Sequence, residues 1–458
     1  MESYEKTRRE IEEGKATSVD FKTYKRRWFM LFLYFITCTL NGVQWAQYST
    51  IADPIVQYYN VSYELVHWSA MIFLLAFIVC ALPGSYLLNN LDLREGLILA
   101  SALQCLGCWL KIVAVNPDRF WLVLLCQALI GMTQVLFLSV PSLLAVTWFP
   151  SNEISTATSI GILATELGNG FSFVIPVIVV PETYSEEVFE NNLIAMFLTI
   201  AISCSVVLIT FFVLFEGKPP LPPSKGQERL KAEDTNFKDS LLFLKRLLKN
   251  RSFLLTLIVC GITNGVSSVM DILFSLIATN YEFPFIRVEH IEFILYVMSS
   301  LGPVVSGILL DRRYPSKMMY LIAQSFSLAF ILTFTFILPH SMLGVCISLC
   351  ILEFCAGAVY LISYETAMEV TFPIPESLSS VIFFGTVQIF SIAFLFLYWF
   401  IFYKNGGFLA NCSMCAFHLL ALLFICCIRF EFRRKKAYSL AEAQHIAQRR
   451  MRTQLLFS

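Results

Sequence analysis

Charge is what this sequence has least of. Only 14% of its 458 residues are Asp, Glu, Lys or Arg, where soluble domains carry roughly a quarter. With 57% hydrophobic residues and a mean hydropathy of +0.69, that scarcity excludes an ordinary water-soluble globule. The 33 basic residues are matched by 33 acidic ones, so there is no basic footprint for nucleic acid. No glycine-rich phosphate cradle and no nucleophile–base pair can be placed, which leaves an enzyme without support and no cofactor to expect. Histidine is scarce, and His67, His290, His340, His418 and His445 lie mostly at the ends of apolar runs or in the tail. The pairs Cys105/Cys108 and Cys412/Cys415 have no histidine partners at zinc spacing, so no metal site is expected. Most of the fourteen cysteines sit inside apolar runs, where they act as small buried hydrophobes. No cleavable signal peptide is visible, because the first 24 residues are polar and the first apolar run is too long for one.

What is present is a series of apolar runs near 28–51, 66–90, 95–115, 120–148, 154–180, 192–216, 252–279, 289–310, 318–338, 341–371, 378–403 and 408–428. About twenty such residues cross the hydrocarbon layer as a helix, and the short alternating segments of a membrane barrel are absent. The sequence therefore predicts an all-α integral membrane protein of twelve transmembrane helices. The polar stretch 217–251 divides it into a tail (1–27), a six-helix half (28–216), a central loop, a second half (252–428) and a basic tail (429–458).

Orientation follows from lysine and arginine. Of the 33, 29 lie in the tails and alternate loops, with Lys111, Arg119, Arg287 and Lys404 opposite. Both tails and the central loop are thus expected to be cytoplasmic. The sequons at Asn60 and Asn411 then lie near the outer face as candidate glycosylation sites, while that at Asn250 lies inside.

Six spans plus six, with both ends on one side, resembles the plan of the major facilitator superfamily, whose halves rock about a central site. Between spans 8 and 9, Gly307-Ile-Leu-Leu-Asp311-Arg312-Arg313-Tyr-Pro-Ser-Lys317 resembles that superfamily's G-x-x-x-D-R-R-x-x-x-K loop. The resemblance implies that Asp311 and Arg312 lock helix ends in one conformational state. The matching loop of the first half is degenerate, with Asn89 where an acid is expected.

Charges at membrane depth are functional candidates by default. Here they are Glu166, Asp271, Glu353, Glu365 and Glu369. Lys111, at the outer end of span 3, reads as a side chain that snorkels to the interface. No lysine or arginine lies at a depth to pair with Asp271 or Glu166. Unpaired acids in a cavity suit a cationic substrate or a proton relay; protonated carboxyls bonded between helices are the alternative, and the reading favoured for Glu353. Glu365 and Glu369, one turn apart, suit bracing of an inner gate as well as binding. Span 1 places Asn41-Gly42-Val-Gln44-Trp45-Ala-Gln47-Tyr48 where aliphatic residues are expected. Trp45 suits either an outer aromatic belt or a cavity wall, and the glutamines favour the wall. A tryptophan face attracts quaternary ammonium groups. Gln134 and Gln388 are further amides at depth.

Tyr24-Lys-Arg-Arg-Trp28, Gln44-Trp45-Ala-Gln47-Tyr48-Ser49, Gln134-Val-Leu-Phe-Leu-Ser-Val-Pro141-Ser142 and Trp148-Phe149-Pro150 stand in an order shared with a known family. So do Lys218-Pro219-Pro-Leu-Pro-Pro223-Ser224, Glu365-Thr-Ala-Met-Glu369-Val-Thr-Phe-Pro373 and Gln388-Ile-Phe390. Over residues 24–405 the chain resembles the feline leukaemia virus subgroup C receptor-related transporters. The resemblance implies facilitated transport of choline or a related organic cation such as ethanolamine across the plasma membrane. Heme export and a non-transporting receptor are the alternatives. It also implies Trp45 under the ammonium, with Gln134 and Gln388 near the hydroxyl. The family's span-7 tyrosine is replaced by Ser268, Glu166 stands where relatives have Gln, and Asp271 lies three residues beyond Ser268. Substitution of charge for one aromatic wall points to a preference for amines other than choline. The expected partners are a small organic cation and the bilayer, with the chain a monomer.

Overall fold

A computed structural model describes residues 22–180, 185–221, 223, 237–279, 288–312 and 316–437. Among the described residues the chain is helical, with no strand. In order the helices are α1 (Arg26–Gly42), α2 (Ala52–Tyr59), α3 (Tyr63–Asn90), α4 (Leu93–Val113), α5 (Phe120–Leu138), α6 (Val140–Trp148), α7 (Ile154–Val179) and α8 (Glu186–Leu214). The central loop adds α9 (Phe237–Leu247). The second half follows as α10 (Arg251–Thr279), α11 (Val288–Asp311), α12 (Ser316–Ile337), α13 (Met342–Thr371), α14 (Glu376–Asn405) and α15 (Gly407–Cys427).

Among the described residues, eleven helical stretches are long and apolar enough to cross a membrane. The twelfth span is α1, whose 17 residues end early. Starts and stops follow from local chemistry. Ser62, Ser185 and Ser341 accept the backbone N–H of Leu65, Val188 and Gly344 at the starts of α3, α8 and α13. Asp92 and Glu95 form a reciprocal cap on α4, which satisfies N–H groups that no preceding turn can reach. Gly406, at φ +89°, makes the turn between α14 and α15.

Two spans are broken where the sequence reads as continuous. Span 4 divides at Ser139 because Pro141 has no N–H to offer Phe137 O, and the Tyr34 hydroxyl donates to that carbonyl instead, at 2.8 Å. Span 1 stops at Gly42 and continues as irregular backbone to Ile51. The stop coincides with the closest approach of α1 and α7. A side chain on Gly42 would lie 2.7 Å from Thr165 O and 2.8 Å from Asn169 N.

The halves meet along two seams, α7 against α11 and α3 against α14. Within the halves, α1 packs on α7, α3 on α5, α4 on α5 and α8, and α10 on α13, α14 and α15. Large apolar side chains such as Val79, Leu343 and Phe396 face outward, as helices in lipid do.

Candidate functional site

The break in span 1 leaves carbonyls that no helix satisfies, at a depth where water cannot. Gln127 of α5 supplies the missing donor. Its Nε2 reaches Gln44 O at 3.1 Å and Trp45 O at 3.2 Å. The side chains of the segment are tied to α4: Cys108 Sγ donates to Gln44 Oε1 at 3.2 Å, and Lys111 Nζ to Gln47 Oε1 at 3.1 Å. Lys111 therefore does not snorkel. It is only 1% exposed, and its ammonium lies 5.5 Å from the Tyr48 ring and 5.8 Å from that of Phe197. The sequence misjudged it because a lysine near a span end usually finds the interface; here the broken segment offers an acceptor first.

This scaffold aims Trp45 at the seam. Its ring meets Phe173 of α7 edge-on at 6.0 Å and Tyr296 of α11 at 6.4 Å, and Phe173 stacks on Tyr296 at 5.5 Å. Trp45 Nε1 is buried without a partner among the described residues. One aromatic cluster thus spans both halves, and two of its three rings escaped the sequence reading. In a chain that is 15% aromatic, Phe173 and Tyr296 carry no signal of their own.

Tyr296 leads on to acids. Its hydroxyl faces Asp271 of α10, which lies within electrostatic reach of Glu353 on α13, Glu292 on α11 and Glu166 on α7. Asp271 and Glu292 are 7% exposed and Glu353 is 1% exposed, while Glu166 is half-buried. Glu292 was missed because it sits near the start of its span, where a carboxylate ordinarily meets water. Ser268 is half-buried and its hydroxyl pairs with that of Ser391 at 2.9 Å. Gln134 is buried on α5 with Oε1 unpaired among the described residues, and Gln388 is half-buried on α14. Neither amide has a hydrogen bond to Trp45 or to the acids.

The structure separates Glu365 and Glu369 from this centre. They lie at the end of the bundle that holds the tails, around Arg434, which is 2% exposed. Arg434 reaches Glu365 at 2.6 Å, Glu376 at 2.9 Å and Glu369 at 3.3 Å. It also donates to Ser142 Oγ of the first half at 3.3 Å, and Ser142 donates to Glu376 at 2.5 Å. The basic tail, read as a topology signal, thus supplies a fully buried arginine. On the neighbouring seam Asp311 accepts from Ser155 N at 3.1 Å, Thr156 N at 2.7 Å and Thr156 Oγ1 at 2.6 Å. It caps the start of α7 from the opposite half, where a carboxylate is stabilised by the helix terminus. Arg312 is exposed beside it.

Two further expectations are corrected. Asn411 is 1% exposed and accepts from the Tyr398 hydroxyl at 2.8 Å inside α15, so it offers no face to a glycan. Asn60 is exposed, at φ 51°. His418 is not at a span end in water: it is buried against Gln324, which also accepts from Thr263 at 3.0 Å.

The Major Facilitator Superfamily profile matches residues 28–395. An MFS-type transporter of Caenorhabditis elegans is 30% identical over 93% of this chain and 73% of its own length. The choline/ethanolamine transporter flvcr2b of Danio rerio is 30% identical over 97% of this chain and 92% of its own. Among solved structures, the fucose:proton symporter of E. coli superposes with a TM-score of 0.67 at 13% identity, covering 87% of this chain and 99% of that one. The two-halved fold and these likenesses agree: the chain is a membrane transporter that belongs to the major facilitator superfamily, within the feline leukaemia virus subgroup C receptor-related family.

Proposed function

We propose that this chain is a plasma-membrane facilitator for a small organic cation, choline or a related amine, with both tails cytoplasmic and a single chain as the working unit. The observation that carries the reading is the Trp45–Phe173–Tyr296 cluster at the seam of the halves, backed by the carboxyls around Asp271. Ring faces attract ammonium groups, and the carboxyls supply balancing charge. The relatives named as choline/ethanolamine transporters support the same substrate class.

In this reading Trp45, Gln134, Ser268, Asp271, Gln388 and Glu166 line the route of the substrate. Residues 28–216 and 252–428 rock as two bodies. Asp311 and Arg312, with Glu365 and Glu369 held by Arg434, close the cytoplasmic side. Rupture of the Arg434–Ser142 and Asp311–Thr156 contacts opens it. Transport is uniport driven by the cation's own gradient and the membrane potential, which supplies about 2.3 kcal/mol per 100 mV for one charge.

The test is radiolabelled choline and ethanolamine uptake in transporter-deficient cells that express the chain, beside Trp45→Ala at matched surface level. Uptake above background that Trp45→Ala abolishes supports the reading. Uptake of neither amine, with the chain at the surface, rejects it.

A further inference from the structure

The aromatic cluster does not distinguish one ammonium from another, since a ring face attracts a methylated and an unmethylated cation alike. The polar groups behind Tyr296 do distinguish them. Among the described residues, the charged groups that face Asp271 come from α7, α11 and α13 and are Glu166, Glu292 and Glu353, with no lysine, arginine or histidine among them. Asp271 Oδ1 and Glu353 Oε1 are buried and accept no hydrogen bond among the described residues. A separate side chain points into the same place. Ser267 of α10, more than nine-tenths buried, turns its hydroxyl toward Glu353 as a donor at more than ordinary hydrogen-bond distance. Beyond the Tyr296 and Ser267 hydroxyls, each of these two acids keeps one buried oxygen without a donor among the described residues, Asp271 lying behind Tyr296, whose ring meets Trp45.

Buried acceptors left unpaired cost free energy, and a ligand that brings donors recovers it. A primary ammonium brings three N–H groups. A trimethylammonium brings none, and sets methyl groups against carboxyl oxygens. Sites built to hydrogen-bond a substrate N–H reject the analogue that lacks it far more strongly than apolar pockets reject a misfit.

We propose that this transporter selects amines that carry N–H donors, primary ammonium first, and discriminates against their fully methylated counterparts, with Asp271 and Glu353 as the residues that set the preference. The inference rests on the cation-transport reading and sharpens it.

The experiment is uptake of radiolabelled ethanolamine, N-methylethanolamine, N,N-dimethylethanolamine and choline by the full chain in transporter-deficient cells, normalised to surface protein. The expected result is a fall in Vmax/KM with each added methyl, by about tenfold or more from ethanolamine to choline. The slope flattens in Asp271→Asn, with Glu353→Gln as the second variant. Equal efficiencies across the four amines, or a rise toward choline, overturn the proposal on the wild-type chain alone. So does a slope unchanged in a surface-expressed variant. Trp45-dependent choline uptake without a methylation slope sinks this inference and leaves the transport reading standing; uptake of none of the four sinks both.

Discussion

Three glutamates share helix α13 in opposite circumstances. Glu353, near its middle, has an oxygen with no hydrogen-bond partner among the described residues, and its charged neighbours are acids. Glu365 and Glu369, about 18 and about 24 Å further along at 1.5 Å per residue, hold Arg434 between them with Glu376. All three are buried, so burial does not separate them. The partner does. At the gate the acids share a buried arginine, although Glu365 also keeps one oxygen, Oε1, without a hydrogen-bond partner among the described residues. At the centre, acid faces acid with no base beside Asp271 or Glu353 among the described residues, which is the property a cation site needs. In the proposed reading, the same side chain on the same helix serves as a latch or as a receptor according to whether the fold delivers an arginine.

The strongest way to break the comparison is to remove that arginine. Arg434→Ala leaves three carboxyls facing one another without a base, and loss of one partner of a buried ion pair costs about 3–5 kcal/mol. We expect a marked drop in Tm of the purified protein and loss of most uptake. An unchanged melting curve would show that the latch is ornamental. Neutralising one glutamate at a time sharpens the contrast. Glu365→Gln removes one charge-assisted bond, worth about 1.5–3 kcal/mol, and should lower Tm, whereas Glu353→Gln deletes a carboxyl without a base and should leave Tm unchanged or raised. Equal losses in the two variants would mean that Glu353 has a structural partner after all.

Next in size is the cradle under Trp45. Gln127→Leu strips the Gln44 and Trp45 carbonyls of their donor, which costs about 1–3 kcal/mol. With Trp45 less firmly held, KM for the transported cation should rise about tenfold while surface-normalised Vmax changes less. A fall in Vmax alone would place Gln127 in the transport cycle and not under the site. The smallest effect is at the surface. Asn60→Gln should abolish an endoglycosidase-sensitive mobility shift without altering uptake, while Asn411→Gln should leave the shift intact because Asn411 is bonded to Tyr398 within α15.

The fold was legible because lipid imposes its period on every span: twelve runs and one polar interruption suffice for the plan. Part of the candidate site was legible for the same reason, since Trp45, Glu166 and Asp271 are conspicuous against an apolar background. What escaped depends on partners distant in the chain. Arg434 joins Glu365 across 69 positions, and nothing near either residue announces the other. Lys111 looked superficial because its acceptor, Gln47, lies on backbone that the sequence reads as helix. Even there a trace existed, for Gly42, Gln44 and Gln47 are poor residues for a lipid-facing helix and good ones for a break. Phe173 and Tyr296 left no trace at all.

Asp271 and Glu353 at the seam, and not the arginine-paired acids at the gate, are proposed to receive the cation. Ligand-dependent thermal stabilisation of the purified chain tests this assignment without reliance on transport. A ligand at a hundred times its Kd stabilises the folded state by about 2.7 kcal/mol. Ethanolamine should raise Tm of the wild type and of Asp311→Asn, but not of Asp271→Asn or Trp45→Ala. Stabilisation that survives in Asp271→Asn and Trp45→Ala, or that vanishes only in Asp311→Asn, would contradict it.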